Sequence, residues 1–185
     1  ISDPSHFVED EERYATLLMS GEEYEKAYQV AKGVIGRTEN PNQMYRIMMH
    51  CKKDLKDYPE AAKWATELLK SKGTAKIIDY DHMTYGAILE ELAKVDTANA
   101  EAHNQEAIKQ YNEALAVNDS CFAAYQSLSL LYRNMGDYPN AVENFDTTQK
   151  YISIGNTTLV KAAGIEESEY SYEKLKSQGI RIITK

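Results

Sequence analysis

The stretch "KDYPEA" at 56–61 returns as "GDYPNA" at 136–141, and a looser form, "EEYEKA", stands at 22–27. Ala27 precedes Ala61 by 34 residues, and a fourth copy, "HNQEA", ends at Ala107, 34 residues before Ala141. The Ala61–Ala107 interval is 46, which is 34 plus 12. Tyr24, Tyr58 and Tyr138 each stand three residues before the alanine of their copy. The same spacing met twice means that the chain is built from copies of one unit.

Each copy reads as two helices. In the last, "FAAYQSLSLLYRNMG" (122–136) predicts a helix with Phe122, Tyr125, Leu128, Leu131 and Tyr132 on one face. Gly136 ends it by tolerating a left-handed backbone, Asp137 caps the next helix, and Pro139 falls in that helix's first turn. "NAVENFDTTQKY" (140–151) then predicts an inward stripe of Ala141, Val142, Phe145 and Thr148.

Residues 122–153 resemble the tetratricopeptide repeat, a 34-residue helix–turn–helix unit with the pattern W-x2-L-G-x2-Y followed by A-x3-F. Tyr125 stands for the Trp, Leu128 and Ser129 for Leu-Gly, Tyr132 for Tyr, and Ala141 with Phe145 for A-x3-F, while Ser153 replaces the closing Pro. Residues 42–73 match more loosely (Tyr45, Met48, Met49, Lys52, Ala61, Ala65), as do 82–119 (Tyr85, Ile88, Leu89, Leu92, Ala107, Tyr111, Ala114). Residues 8–39 have the weakest first helix (Tyr14, Ala15, Leu18), followed by Ala27 and Ala31. The third copy carries about six extra residues before its first helix and six between its helices, so "KVDTANAEAHNQ" (94–105) is expected to lengthen the helices or their turn.

The resemblance implies an all-α, right-handed superhelical stack of about four repeats plus a C-terminal capping helix. The array is expected over 1–155, with repeats at about 8–39, 42–73, 82–119 and 122–153. A degenerate fifth repeat or cap, then a tail, is expected over 156–185, with Leu159, Ala162 and Ala163 in phase for a further first helix. The tail "IRIITK" reads as an extended strap on the array. Small residues suit this design because paired helices approach closely only where Ala, Gly or Ser faces the partner, and aromatics fill the gaps between pairs. No single repeat buries its face alone.

Composition agrees. The 185 residues are 43% hydrophobic and 27% charged, with only nine Gly and four Pro, so a mostly helical globular chain is expected. The sole short strand candidate is "IRII" at 180–183. A net charge of −8 without clustered Lys and Arg excludes an ordinary nucleic-acid surface. No apolar run approaches the roughly 18 residues of a membrane span. The chain begins at Ile1, so an upstream segment (signal peptide, lipid anchor or domain) is expected, and cytoplasm and bacterial cell envelope both stay open. Cys51 and Cys121, each expected inside a helix, read as two buried free thiols.

Catalytic chemistry is not written here. None of His6, His50, His82 and His103 has HExxH spacing, no CxxC pair is present, and no Gly-rich phosphate loop appears. "DYDH" (79–82) offers Asp79, Asp81 and His82 to a metal, but the same residues read as a helix start with Asp as N-cap. No metal, cofactor or enzymatic activity is expected.

By resemblance such arrays are interaction scaffolds whose first helices line a concave groove for a peptide segment or a partner's helix. The register turns Glu12, Thr16, Arg46, His50, Lys53, Glu90, Gln126, Leu130 and Arg133 toward that groove, and of these Arg46, His50, Lys53, Glu90, Gln126 and Arg133 are the candidate ligand-binding residues. With Arg46, Lys53 and Arg133 inward on an acidic protein, the expected partner is another protein or peptide carrying a carboxylate. The carboxylate clamp of one family branch is absent, because Glu12, Thr16 and Ile47 stand where its Lys and Asn belong. The alternative is a cell-envelope accessory module binding a small polymer or carbohydrate, with the 14 tyrosines as stacking surfaces. Oligomeric state is not legible.

Overall fold

Three turns show why this sequence folds as it does. Glu22, Lys56 and Gly136 all have positive φ (60°, 61° and 82°) and occupy the same place in their repeats, just after the first helix. At each, two backbone bonds close the helix end: Glu23 N to Leu18 O and Glu22 N to Met19 O, Asp57 N to Lys52 O and Lys56 N to Lys53 O, Asp137 N to Tyr132 O and Gly136 N to Arg133 O. This left-handed termination satisfies otherwise orphaned carbonyls and reverses the chain within three residues. The next helix starts at once at the repeat's tyrosine. Asp57 and Asp137 each accept from the backbone N–H three residues on, and Pro59 and Pro139 sit in the first turn, where a missing N–H costs little.

The computed structural model describes residues 4–71 and 76–162. Its helices are α1 (Pro4–Ser20), α2 (Tyr24–Val34), α3 (Pro41–Asp54), α4 (Tyr58–Lys70), α5 (Asp79–Val95), α6 (Ala100–Val117), α7 (Phe122–Asn134) and α8 (Tyr138–Ala162). No strand occurs among the described residues. They form two compact units, Ile1–Gln110 and Tyr111–Lys185, with the division inside α6.

In the first unit α1 pairs with α2 and α3 with α4, while α2 packs on α3 and α4 on α5. Ala15, Ala27, Ala31, Met44, Ile47, Met48 and Cys51 are fully buried in one core, and larger side chains such as Met48 contribute about 1.5–3 kcal/mol each. Trp64 fills the space beside it, stacked on Tyr45 at 6.0 Å and edge-on to Tyr28 at 6.4 Å. The four repeat alanines, Ala27, Ala61, Ala107 and Ala141, are all buried.

In the second unit α7 and α8 pair closely. Ser129, the residue in the repeat's Gly position, donates its hydroxyl to the carbonyl of Ala141 at 2.8 Å, so a small polar side chain bridges the crossing. The expected faces need adjustment here. Leu128, Leu131, Ala141 and Thr148 are buried and Tyr125, Tyr132 and Phe145 half-buried, but Phe122 and Val142 are exposed. Phe122 opens α7, and the row Ala124, Leu128, Leu131 at i, i+4, i+7 takes the inward place instead.

The third pair is lengthened as the insertion requires. α5 and α6 run to 17 and 18 residues and meet through a short 3-10 turn, Thr97–Asn99. α8 continues without a break from Tyr138 to Ala162, through the expected boundary at 155/156, because Ser153 offers no obstacle where a proline would. Residues 156–162 therefore extend α8. The rest of the expected cap and the tail, 163–185, lies outside the described residues. Cys121 is not inside a helix; it precedes α7 and is half-buried, whereas Cys51 is buried and its thiol is pushed up to about 11, chiefly by burial.

Candidate functional site

Arg46, His50 and Lys53 lie at i, i+4 and i+7 on α3 and so share a face. The neighbouring α5 begins against the first two. Arg46 holds Asp81 through two parallel bonds, Nε to Oδ1 and Nη2 to Oδ2, both 2.7 Å, and Nη2 also donates to the Lys76 carbonyl at 2.5 Å. Asp81 is almost fully buried and takes a further bond from the Ile78 N–H at 3.0 Å. The hydrogen bond to Asp81 raises the Arg46 pKa above its ordinary value. One carboxylate thus closes the start of α5 and ties it to α3.

Next to this pair the His50 ring stacks on Tyr80 at 5.4 Å and 17°. Burial lowers the His50 pKa, and nearby Lys53 lowers it further, so the ring is neutral at pH 7. Tyr80 stays 58% exposed. Lys53 lies 3.2 Å from Asp54, and Glu90 sits half-buried further along α5.

The other candidates stand elsewhere. Gln126, Leu130 and Arg133 are exposed on one face of α7 in the second unit. On α1, Thr16 donates to the Glu12 carbonyl and the Glu12 carboxylate accepts from Thr38, so both are engaged in local bonding. The structure therefore brings Arg46 and His50 together with Tyr80 and Asp81. Sequence reading missed both partners. Asp81 precedes Tyr85, the third repeat's counterpart of Tyr45, by four residues, and no spacing in the sequence pairs it with Arg46.

"DYDH" resolves into structural duties. Asp79 is the first helical residue and Ile78, not Asp, is the cap; Asp81 serves Arg46; His82 pairs its Nδ1 with Gln110 Oε1 at 2.8 Å. Among the described residues no three His, Cys, Asp or Glu side chains gather as a metal site would need, and no helix is long and apolar enough to cross a membrane.

The arrangement of helix pairs matches solved structures. The chain matches a crystal structure of MamA with a TM-score of 0.69 at 16% identity, over 81% of each chain. It also matches the C-terminal part of a TPR repeat-containing protein from Cytophaga hutchinsonii with a TM-score of 0.63 at 22% identity, over 74% of this chain and 50% of that one. The fold is that of a tetratricopeptide-repeat array. A second MamA structure agrees, with a TM-score of 0.67 at 15% identity over 78% of this chain and 72% of that one. No protein-family model and no curated protein sequence matches the chain. The likeness to these repeat proteins concerns the backbone; the side chains on the first-helix faces are this chain's own.

Proposed function

We propose that the protein is a non-enzymatic interaction scaffold whose first-helix faces receive a peptide segment or helix of a partner protein. The observation that supports this most is the α3–α5 face. There the Arg46–Asp81 clasp and the His50–Tyr80 stack hold an ordered patch, bordered by the exposed Tyr80 and by the half-buried Lys53, 3.2 Å from Asp54. A pre-organised patch loses little side-chain entropy on binding.

Within this reading the candidate residues divide their work. Arg46 has its fork filled by Asp81 and frames the site; Lys53 and, on α7, Arg133 are the cations that take a carboxylate of the ligand. His50, Glu90 and Gln126 supply polar contacts beside them. The two faces need not act on one ligand. Packing accounts for Tyr28 and Tyr111, which are buried, and for Tyr45 and Tyr125, engaged with Trp64 and Tyr151, while Tyr14, Tyr80 and Tyr138 stay exposed, so carbohydrate stacking is the second reading.

The test is a peptide array probed with the intact chain, comparing free-acid with amidated C-termini and acidic with basic sequences. Free-acid and acidic peptides are expected to bind best. Lys53→Glu with Arg133→Glu is expected to weaken the best binder about tenfold, which is near 1.4 kcal/mol, with helicity and melting unchanged. Lys70→Glu with Lys150→Glu is expected to change nothing. Loss on the second pair and not the first would move the binding surface off the first-helix faces.

A further inference from the structure

The histidines of the array differ in what holds them. His82 pairs its Nδ1 with Gln110 at 2.8 Å, and His103 pairs its Nε2 with Asp96 at 3.1 Å. His50 is held by stacking alone. Its ring lies half-buried against Tyr80 at 5.4 Å, and among the described residues its nitrogens make no hydrogen bond and are not closed off from water. A half-buried imidazole with both nitrogens unused is an uncommitted polar group, because such groups are ordinarily paired.

The charges around it are already answered. Arg46 stands one turn before His50 on α3 and Lys53 one turn after it. Arg46 gives two bonds to Asp81, and Lys53 rests 3.2 Å from Asp54. From α5, Tyr80 brings a ring and Asp81 a carboxylate that Arg46 and the Ile78 N–H hold. Burial and then Lys53 lower the His50 pKa most, Asp54 and Asp81 raise it, and Arg46 lowers it again. At neutral pH the patch therefore presents two cations with partners and one imidazole whose charge is withheld.

We propose that a carboxylate of the partner docks against His50 and Lys53, and that His50 takes up a proton as it binds. This rests on the scaffold reading above and names the group that completes its anion site on α3. A carboxylate beside the ring sets an opposite charge against the two cations that keep the proton away. The resulting imidazolium donates to a carboxylate oxygen, a charge-assisted bond stronger than a neutral one. The stack on Tyr80 fixes the plane of the ring from which that bond is made.

Linkage sets the sign. A peptide carboxylate stays ionised above about pH 4.5, so His50 is the group whose proton count changes on binding. Affinity then rises as pH falls through the bound-state pKa of His50 and levels off below the free-state value. The limiting slope is about tenfold per pH unit for one proton. A ring that has to stay neutral in the complex gives the opposite slope.

The probe is N-acetylglycine, whose carboxylate mimics a peptide C-terminus, with N-acetylglycinamide as the neutral control. Each is added in excess to the intact chain at constant ionic strength. The His50 ring protons are followed by NMR from about pH 5 to 8 and identified by their loss in His50→Phe. N-acetylglycine is expected to raise the His50 titration midpoint by about half a pH unit or more, and the amide to leave it in place. A midpoint that stays or falls overturns the proposal. In fluorescence anisotropy the best free-acid peptide of the array is expected to bind more tightly as pH falls, a slope that His50→Phe removes and His103→Gln keeps. A slope that survives in His50→Phe overturns the proposal as well. Free-acid peptides that bind independently of pH would leave the scaffold reading standing while the His50 assignment falls. An array without preference for free acids would instead remove the carboxylate from that reading, and the N-acetylglycine titration still decides His50.

Discussion

Arg46 and Asp81 lie 35 residues apart and meet through two 2.7 Å bonds, joining the first helix of the second repeat to the start of the third. Asp81 is only 1% exposed. Replacing Arg46 by Ala leaves that carboxylate buried without its cation, and a loss of about 2–4 kcal/mol is expected in urea unfolding. Arg46→Met with Asp81→Leu together is expected to recover most of the loss, because removing both charges removes the desolvation cost as well. A double variant no better than Arg46→Ala would show that the pair does more than satisfy its own burial.

The left-handed turns give a test of opposite signs. Lys56 adopts φ 61° with a side chain that disfavours it, and Lys56→Gly is expected to stabilise by about 0.5–1 kcal/mol. Gly136 has φ 82° and open space where a Cβ would go, so Gly136→Ala is expected to cost about 1 kcal/mol through the backbone alone. Thermal melting of the two variants against the parent checks both.

Ala61 and Ala141 set the spacing of their helix pairs. Leu at either is expected to cost about 1–3 kcal/mol by overpacking. Ala141→Leu has the added effect of straining the Ser129 hydroxyl bond to the Ala141 carbonyl. Chemical denaturation of each variant measures it, and a neutral result at both sites would mean that the helix crossings lie elsewhere.

His50 brings a pH dependence. Its folded pKa lies below the ordinary value near 6.5, so the unfolded chain takes up a proton that the folded chain resists. The stability from the neutral ring is complete above about pH 7 and declines as pH falls through 6.5 toward the lower folded value. His50→Phe keeps an aromatic against Tyr80 and is expected to flatten that part of the pH–stability curve. An identical slope in parent and variant would assign the titration to another group.

How far the sequence could be read follows from what each feature depends on. The helix pairs were legible because their signals are local: Asp-Tyr-Pro at a helix start, and an alanine three residues after the tyrosine. Turn geometry was legible at Gly136 but not at Glu22 or Lys56, where the packing of two helices imposes a conformation that the residue type does not advertise. Burial at the ends of helices was not legible, as Phe122 and Val142 show, because periodicity carries no information on where a neighbour stops. The Arg46–Asp81 clasp was hidden for a similar reason. Arg46 read as a free inward cation, and only the position of α5 shows that its charge is already answered.

The long third hairpin has a consequence for how such a chain can change length. From Tyr45 to Ala61, and again from Tyr125 to Ala141, is 16 residues, while from Tyr85 to Ala107 is 22. Those six additional residues are taken up at the hairpin tip, where α5 and α6 run on to the Thr97–Asn99 turn, and Ile88, Leu89 and Ala107 are still buried. Extra length added there moves outward into solvent and leaves the pairing below it in step. At the level of the gene, small in-frame insertions and deletions at this tip are close to silent for the core, whereas the same change between Ala107 and Ala114 would rotate every later contact out of register. The tip is the place where this architecture can lengthen, shorten or take up a foreign segment without renegotiating its interior.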